Sequence, residues 1–388
     1  MGPLRGYRVV ELGIWVAGPA AASMLADWGA DVLKIEAPAG DPNRYTLRHI
    51  GIDAVSPAFA LDNRGKRSVV LDLKAQPDRG HLDRLLAEAD VFVTNLRPAA
   101  LRRLGLDPMS LRERFPSLVV ATVTSFGWQG PDRDRPGYDV NAFWARTGIA
   151  ARLLPAGEAP PASRPAMGDR VAATALAGGI AAALLDRARS GQGCVVDVSL
   201  LRAGLYCNGS DLSVQLAFGK RARTRPRAEH ESPLFNCYRT GDDRWLWLVA
   251  LEGDRHWPGL AAALGRPELS GDPRFVDGRA RRANGAALIA ELDAVFAGGT
   301  LAEWAQVLDD ADVWWGPVLD LDEVIDDPQA AATGAWTYHG EQRSVATPVS
   351  FWGNDSAEYR PAPALGEHTA EILDAGQRSH PATEVVRR

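Results

Sequence analysis

Three cysteines, Cys194, Cys207 and Cys237, are all that 388 residues contain, and their spacing fits no metal-ligand set. They read as reduced thiols of a cytoplasmic protein, and no metal site is expected. Lys and Arg are nowhere massed in one block and the net charge is -6, so no nucleic-acid partner is expected, although local basic patches stay open. The N-terminus lacks a charged segment running into an apolar stretch and a cleavage site, and no run reads as long enough to cross a bilayer. Neither export nor a membrane partner is therefore expected. The dinucleotide fingerprint is missing too. Gly13 and Gly18 flank Ile14-Trp15-Val16-Ala17, which is neither a close-packed GxGxxG pattern nor a P-loop with its Gly-Lys-Ser/Thr ending.

What is present is an ordinary globular composition, 46% hydrophobic and 24% charged, in a chain long enough for two domains. Residues 7–12 predict a strand, 20–28 a small-residue helix and 32–36 a second strand, a βαβ unit. Such a unit invites a nicotinamide or flavin site, with Glu36 where a ribose-binding acid would stand; the loop glycines argue against it. Strands are also expected over 69–73, 91–93 and 118–123, with a helix over about 80–89. Arg64, Lys66 and Arg67 surround Gly65 in an electropositive turn that suits either a phosphate or solvent. Asn95, Arg97, Arg102 and Arg103 follow the strand over 91–93, and the carboxyl ends of strands in open α/β sheets are where ligands bind.

Ala166-Met167-Gly168-Asp169-Arg170 opens onto a long small-residue apolar run, 171–185, which reads as a closely packed buried helix. Asp169 stands where an N-cap would, at a helix end that favours anions. Capping and chemistry are both open to it.

Taken together, Leu25-Ala26-Asp27-Trp28-Gly29-Ala30-Asp31-Val32, Asn63-Arg64-Gly65-Lys66-Arg67-Ser68, Asn95-Leu96-Arg97-Pro98, Gly137-Tyr138-Asp139, Gly168-Asp169, Asp327-Pro328-Gln329 and Leu365-Gly366-Glu367-His368-Thr369 run in an order that resembles the class III CoA-transferases. That family also holds formyl-CoA transferase, carnitine CoA-transferase and α-methylacyl-CoA racemase. The resemblance implies an α/β fold: a Rossmann-like large domain built from both chain ends plus a smaller α+β domain, with subunits interlocked as a ring-like homodimer. It implies Asp169 as the nucleophile that moves CoA between carboxylic acids through an aspartyl anhydride and an aspartyl-CoA thioester. Backbone N–H groups after Asp169 would hold the oxyanions. Val16, Ala17 and Gly18 would meet the pantetheine, and Arg64, Lys66, Asn95, Arg97 and Arg103 the nucleotide and its phosphates. Asp139 and Tyr138 would support the reacting centre. The substrates would be an acyl-CoA and a carboxylic acid, with no tightly bound cofactor.

Departures from the family pattern narrow this expectation. The racemase branch has a His base where this chain has Tyr138, a poor base at neutral pH. Val16 stands where formyl-CoA transferase has Gln, and Phe143, Trp144 and Trp15 are available for a less polar acyl pocket. The alternatives are an acyl-CoA racemase or isomerase on the same scaffold, or a CoA-binding protein without turnover. The large domain is expected over 1–219, a basic linker over 220–231, the small domain over 232–330 and a return to the large domain over 331–388. In the small domain 245–249 predicts a strand and 254–264, 286–296 and 301–308 helices; the tail after Gly376 is expected to fray. His49, His230, His256 and His368 have plain alternatives to catalysis, and the resemblance places Glu367 and His368 on a loop near the site.

Overall fold

The computed structural model describes residues 2–155, 157–221, 224–250, 252–339, 341–353 and 360–378. Residues 1–151, 161–221 and 332–388 form one unit and residues 152–160 and 222–331 another. Six parallel strands carry the first unit: β1 (Arg8–Leu12), β2 (Asp31–Glu36), β3 (Arg67–Val70), β4 (Val91–Thr94), β5 (Val119–Thr124) and β6 (Val195–Ser199), in the order β3-β2-β1-β4-β5-β6. Both sheet faces are covered, which is why β4 and β5 are buried at every position and read as apolar runs broken only by threonine.

Alternate side chains divide those runs between two cores. Val9, Val91, Val93 and Ala121 face the helices α1 (Ala17–Asp27) and, after α2 (Pro57–Asn63), α3 (Gln76–Ala87), α4 (Pro98–Leu104) and α5 (Pro108–Arg114), the long α6 (Met167–Ser190). Val10, Phe92 and Val120 face α3, α4 and α5 through Leu86, Leu101 and Leu111. The helices α7 (Leu200–Cys207) and α8 (Gly209–Phe218) follow β6. Three expectations need correction. α1 begins at Ala17, so Val16 is its N-cap; α3 begins at Gln76, because Pro77 occupies its opening turn; β3 ends at Val70. At 24 residues α6 is also long and apolar enough to cross a bilayer, contrary to the reading of the runs, and it spends Ala172, Leu176, Ile180 and Leu184 on the core.

The second unit packs the antiparallel strands β7 (Phe235–Arg239), β8 (Trp245–Val249) and β9 (Trp315–Pro317) with α9 (Gly253–Ala263), α10 (Gly285–Phe296) and α11 (Leu301–Asp310) around Tyr238, Leu246, Trp257 and Phe296. The chain then returns through the hairpin β10 (Trp336–His339) and β11 (Gln342–Val345) to α12 (Thr369–Arg378). That return is laced to the edge strand β3: His368 N–H donates to the Ser68 carbonyl at 3.0 Å and Val70 N–H to Thr369 Oγ1 at 3.0 Å. Residues 379–388, most of the tail expected to fray, lie outside the described residues.

Charges are buried on the α1 face of this sheet. Glu11 and Lys34 are register partners on β1 and β2, and neither side chain has any exposed surface. Lys34 Nζ lies 3.0 Å from Glu11 Oε1 and 3.0 Å from Asp41 Oδ2, and donates to the Gly13 carbonyl at 3.1 Å. Lys66 Nζ lies 2.6 Å from Glu11 Oε2 and donates to the Pro19 carbonyl at 2.8 Å. Burial pushes the Lys66 ammonium down to about 8, with Glu11 resisting and Lys34 assisting. Burial also opposes the Lys34 charge, but Glu11, Asp41 and Glu36 outweigh it and raise that group. Removing Lys34 leaves Asp41 without its cation and Glu11 with Lys66 alone, whereas removing Lys66 leaves Lys34 with both Glu11 and Asp41. Lys34→Met is therefore expected to cost about 3 to 5 kcal/mol, and Lys66→Met clearly less. Urea unfolding of both variants checks this, and the reverse order would contradict the pairing.

Candidate active site

A cleft of about 540 Å³ opens at the carboxyl ends of β1, β4 and β5, with Trp15, Val16, Asn95, Arg97, Tyr138 and Asp169 in its wall. The loop after β1 is held there by side chains from elsewhere. Asn95 Nδ2 donates to the Ile14 carbonyl at 2.6 Å and its Oδ1 accepts the Ile14 N–H at 2.9 Å, so both ends of the amide are used. Trp15 N–H donates to Asp41 Oδ1 at 3.1 Å, and Asn43 Nδ2 to the Trp15 carbonyl at 3.3 Å. These bonds hold Trp15 at φ 62°, a left-handed conformation that costs a non-glycine residue about 1 to 2 kcal/mol. Gly18 lies close behind, and a Cβ there would stand 3.2 Å from Asn95 Cγ.

Asp169 is not the cap of α6. The helix starts at Met167, its N-cap is Ala166 at φ 61° with no capping side chain, and Asp169 is the third helical residue. Capping falls to Asp139, whose Oδ2 accepts the Gly168 N–H at 3.3 Å. That N–H is thus not free for an oxyanion. The approach needs glycine, since a Cβ on residue 168 would overlap the Phe143 ring. Phe143 is accordingly core and not pocket wall, in a π-helical turn spanning Val140–Ala145. Asp169 itself accepts no hydrogen bond from the described residues. Burial, then the Asp139 and Asp62 charges, push its carboxyl up to about 7 against Arg170. Arg170 is held by Asp62 at 2.8 Å, which blunts that opposition.

The structure gathers Asp169, Tyr138, Val16, Ala17, Asn95 and Arg97 around one cleft, with Asp139 behind the helix start. It separates the others. Arg64 is buried and grips Asp27 at 2.7 Å, and Lys66 is locked on Glu11, so both anchor α1 where phosphate contacts were expected. Arg103 is exposed on α4, outside the cleft wall. Glu36 accepts from Arg44 Nη2 at 2.6 Å and Ser68 Oγ at 2.7 Å, which leaves no acid for a ribose. Glu367 and His368 sit at the β3 edge, away from the cleft wall. His230 and His256 belong to the second unit, and His49 is exposed. Among the described residues no group of three or more His, Cys, Asp or Glu is placed to hold a metal.

A second hollow of about 240 Å³ was not expected. Ala37, Asp72, Leu73 and Lys74 line it, and it shares Ile14 and Leu96 with the first. The available signal was position, since Asp72–Lys74 follow a parallel strand directly. Lys74, Arg97 and Arg103 have no carboxylate partner among the described residues.

Residues 4–369 match CoA-transferase family III. The chain is 34% identical over 385 residues to cinnamoyl-CoA:phenyllactate CoA-transferase of Clostridium sporogenes, covering 95% of this chain and 92% of that one. It is 30% identical over 377 residues to human alpha-methylacyl-CoA racemase, covering 96% and 92%. The crystal structure of a CaiB/BaiF family protein from Brucella suis superposes with TM-score 0.85 at 31% identity, covering 96% of this chain and 99% of that one.

Because the Asp169 carboxyl binds its proton more tightly folded than unfolded, its ionisation costs stability as pH rises from the ordinary 3.8 to about 7. Asp169→Asn does not titrate. The variant is expected to gain stability over the parent progressively across that window and to hold a constant advantage above it, measured as unfolding midpoints from pH 4 to 8. Parallel curves would contradict the raised carboxyl.

Proposed function

Because the chain belongs to CoA-transferase family III, we propose that it moves coenzyme A from an acyl-CoA thioester to a carboxylic acid, with Asp169 as nucleophile. One observation carries this reading: a cleft-wall carboxylate that no hydrogen bond from the described residues ties down and that burial and neighbouring acids destabilise. Such a carboxylate gives up its charge readily to a carbonyl carbon. Asp169 attacks the thioester, the C–S bond breaks, and CoA leaves as thiolate from a mixed aspartyl anhydride. The thiolate attacks the Asp169 carbonyl, expelling the donor acid as a carboxylate and leaving an aspartyl-CoA thioester. The acceptor carboxylate repeats the sequence in reverse and frees Asp169, with no net proton. A carboxylate nucleophile keeps each intermediate near substrate and product in energy, whereas a hydroxyl would stop at a stable ester.

Val16 and Ala17 would lie along the pantetheine, and Arg97, Arg103 and Lys74, which have no carboxylate partner among the described residues, would meet the phosphates near the second hollow. Asn95 would act by holding the loop. Tyr138 would border the acyl group and Asp139 would position Asp169. The protein would work in the cytoplasm as an interlocked homodimer, in which the exposed Tyr206, Leu216 and Phe218 give a second copy an apolar surface to cover.

Asp169→Ala is expected to abolish transfer between acyl-CoA and free acids while retaining a CoA-induced rise in unfolding midpoint. For the parent, kcat/KM should fall about tenfold per pH unit below about 7, as the nucleophile takes up its proton. Deuterium entering the α-carbon without any acceptor acid would instead identify a racemase, and unchanged behaviour of Asp169→Ala a protein that only binds CoA.

A further inference from the structure

The transferase reading leaves open what acyl group the cleft takes, and the wall chemistry narrows it. Trp15 and Tyr138 meet edge to face across the wall, ring centroids 6.1 Å apart at 84°. Tyr138 is 62% exposed, and Trp15 is fixed by bonds to both of its peptide groups, so the pair is a preset feature of the cleft. Val123, Pro136 and Leu200 continue an apolar wall towards Asp169. The polar groups nearby are largely used up: Ser125 Oγ donates to the Gly137 carbonyl at 2.9 Å, Thr124 Oγ1 accepts the Gly127 N–H at 2.8 Å, and Asn95 is spent on Ile14. Among the described residues Arg97 is the one cation in the wall, and the transferase reading assigns it to CoA phosphate. A second carboxylate on the acyl group would lose its water beside Asp169 and Asp139 with no further cation among the described wall residues to replace it.

Resting on that reading, we infer that Trp15 and Tyr138 form an aromatic jaw that selects an apolar, aromatic or branched acyl group without a second charge. Trp15 is then a specificity-determining residue. The left-handed backbone that turns its ring into the cleft is one a glycine adopts freely, so a residue this large at this φ is held there against a conformational cost.

Isotope exchange between each acyl-CoA and its own labelled free acid tests this on the full chain without knowledge of the second substrate. 3-Phenylpropionyl-CoA and 4-methylpentanoyl-CoA should exchange with kcat/KM about a hundredfold above succinyl-CoA. Trp15→Gly should lower the two apolar exchanges about tenfold and leave succinyl exchange within about threefold. Tyr138→Ala, at an exposed side chain that folding does not need, should act in the same direction. Succinyl exchange as fast as the apolar ones, or an equal loss for all acids in both variants, would overturn the jaw and leave the transferase standing. CoA binding without exchange of any acid would remove the transferase reading and the jaw with it.

Discussion

Glu11, clasped between two ammonium groups with no access to water, is the contact on which the first unit and its cleft depend. A carboxylate and two lysines in a low-dielectric core are tolerable only when each finds partners, and here the partners include backbone carbonyls as well as acids. Lys34 holds the Gly13 carbonyl and Lys66 the Pro19 carbonyl, one at each end of the loop that walls the cleft. Asp41, the other acid on Lys34, takes the Trp15 N–H between them. The sheet's ion pairing therefore sets the loop, and the loop sets the Trp15 ring.

A division of labour between two acids governs the other wall. Asp139, reaching α6 from 29 residues upstream, accepts the Gly168 N–H and spares Asp169 that duty. The same acid, by its charge, helps keep the Asp169 carboxyl high. An Asp at the N-cap would have gained hydrogen bonds that favour its charged form. Three positions beyond the N-cap, Asp169 keeps the helix end nearby without being tied down by it.

Much of this was legible in the chain, and the failures share one cause. Strands buried on both faces announce themselves by composition, and the 245–249 strand of the second unit matches β8 residue for residue. The charge cluster at Arg64 and Lys66 looked like a phosphate turn because their acids, Asp27 and Glu11, lie 37 and 55 residues away. The Asp169 cap was misassigned for the same reason: a local rule fitted and a distant side chain overrode it. One clue did lie in plain view. Glu11 and Lys34 interrupt apolar strands, and a charge in such a strand requires a buried partner. The second hollow stayed hidden because its wall is assembled from loops that follow four different strands, none distinctive alone.

The lacing of residues 366–369 onto β3 bears on how the protein is made. β3 is an edge strand, and the groups that cover it, Gly366, His368 and Thr369, come from about 300 positions later; Val70 and Thr369 are 299 apart. During synthesis the sheet's open side must wait, with unpaired backbone available to any other chain, until the second unit has been completed. The second unit draws on nearly contiguous chain and faces no such delay. A chain cut before residue 366 would carry an unguarded edge, which makes the short loop before α12 a protection against aggregation as much as a piece of the fold.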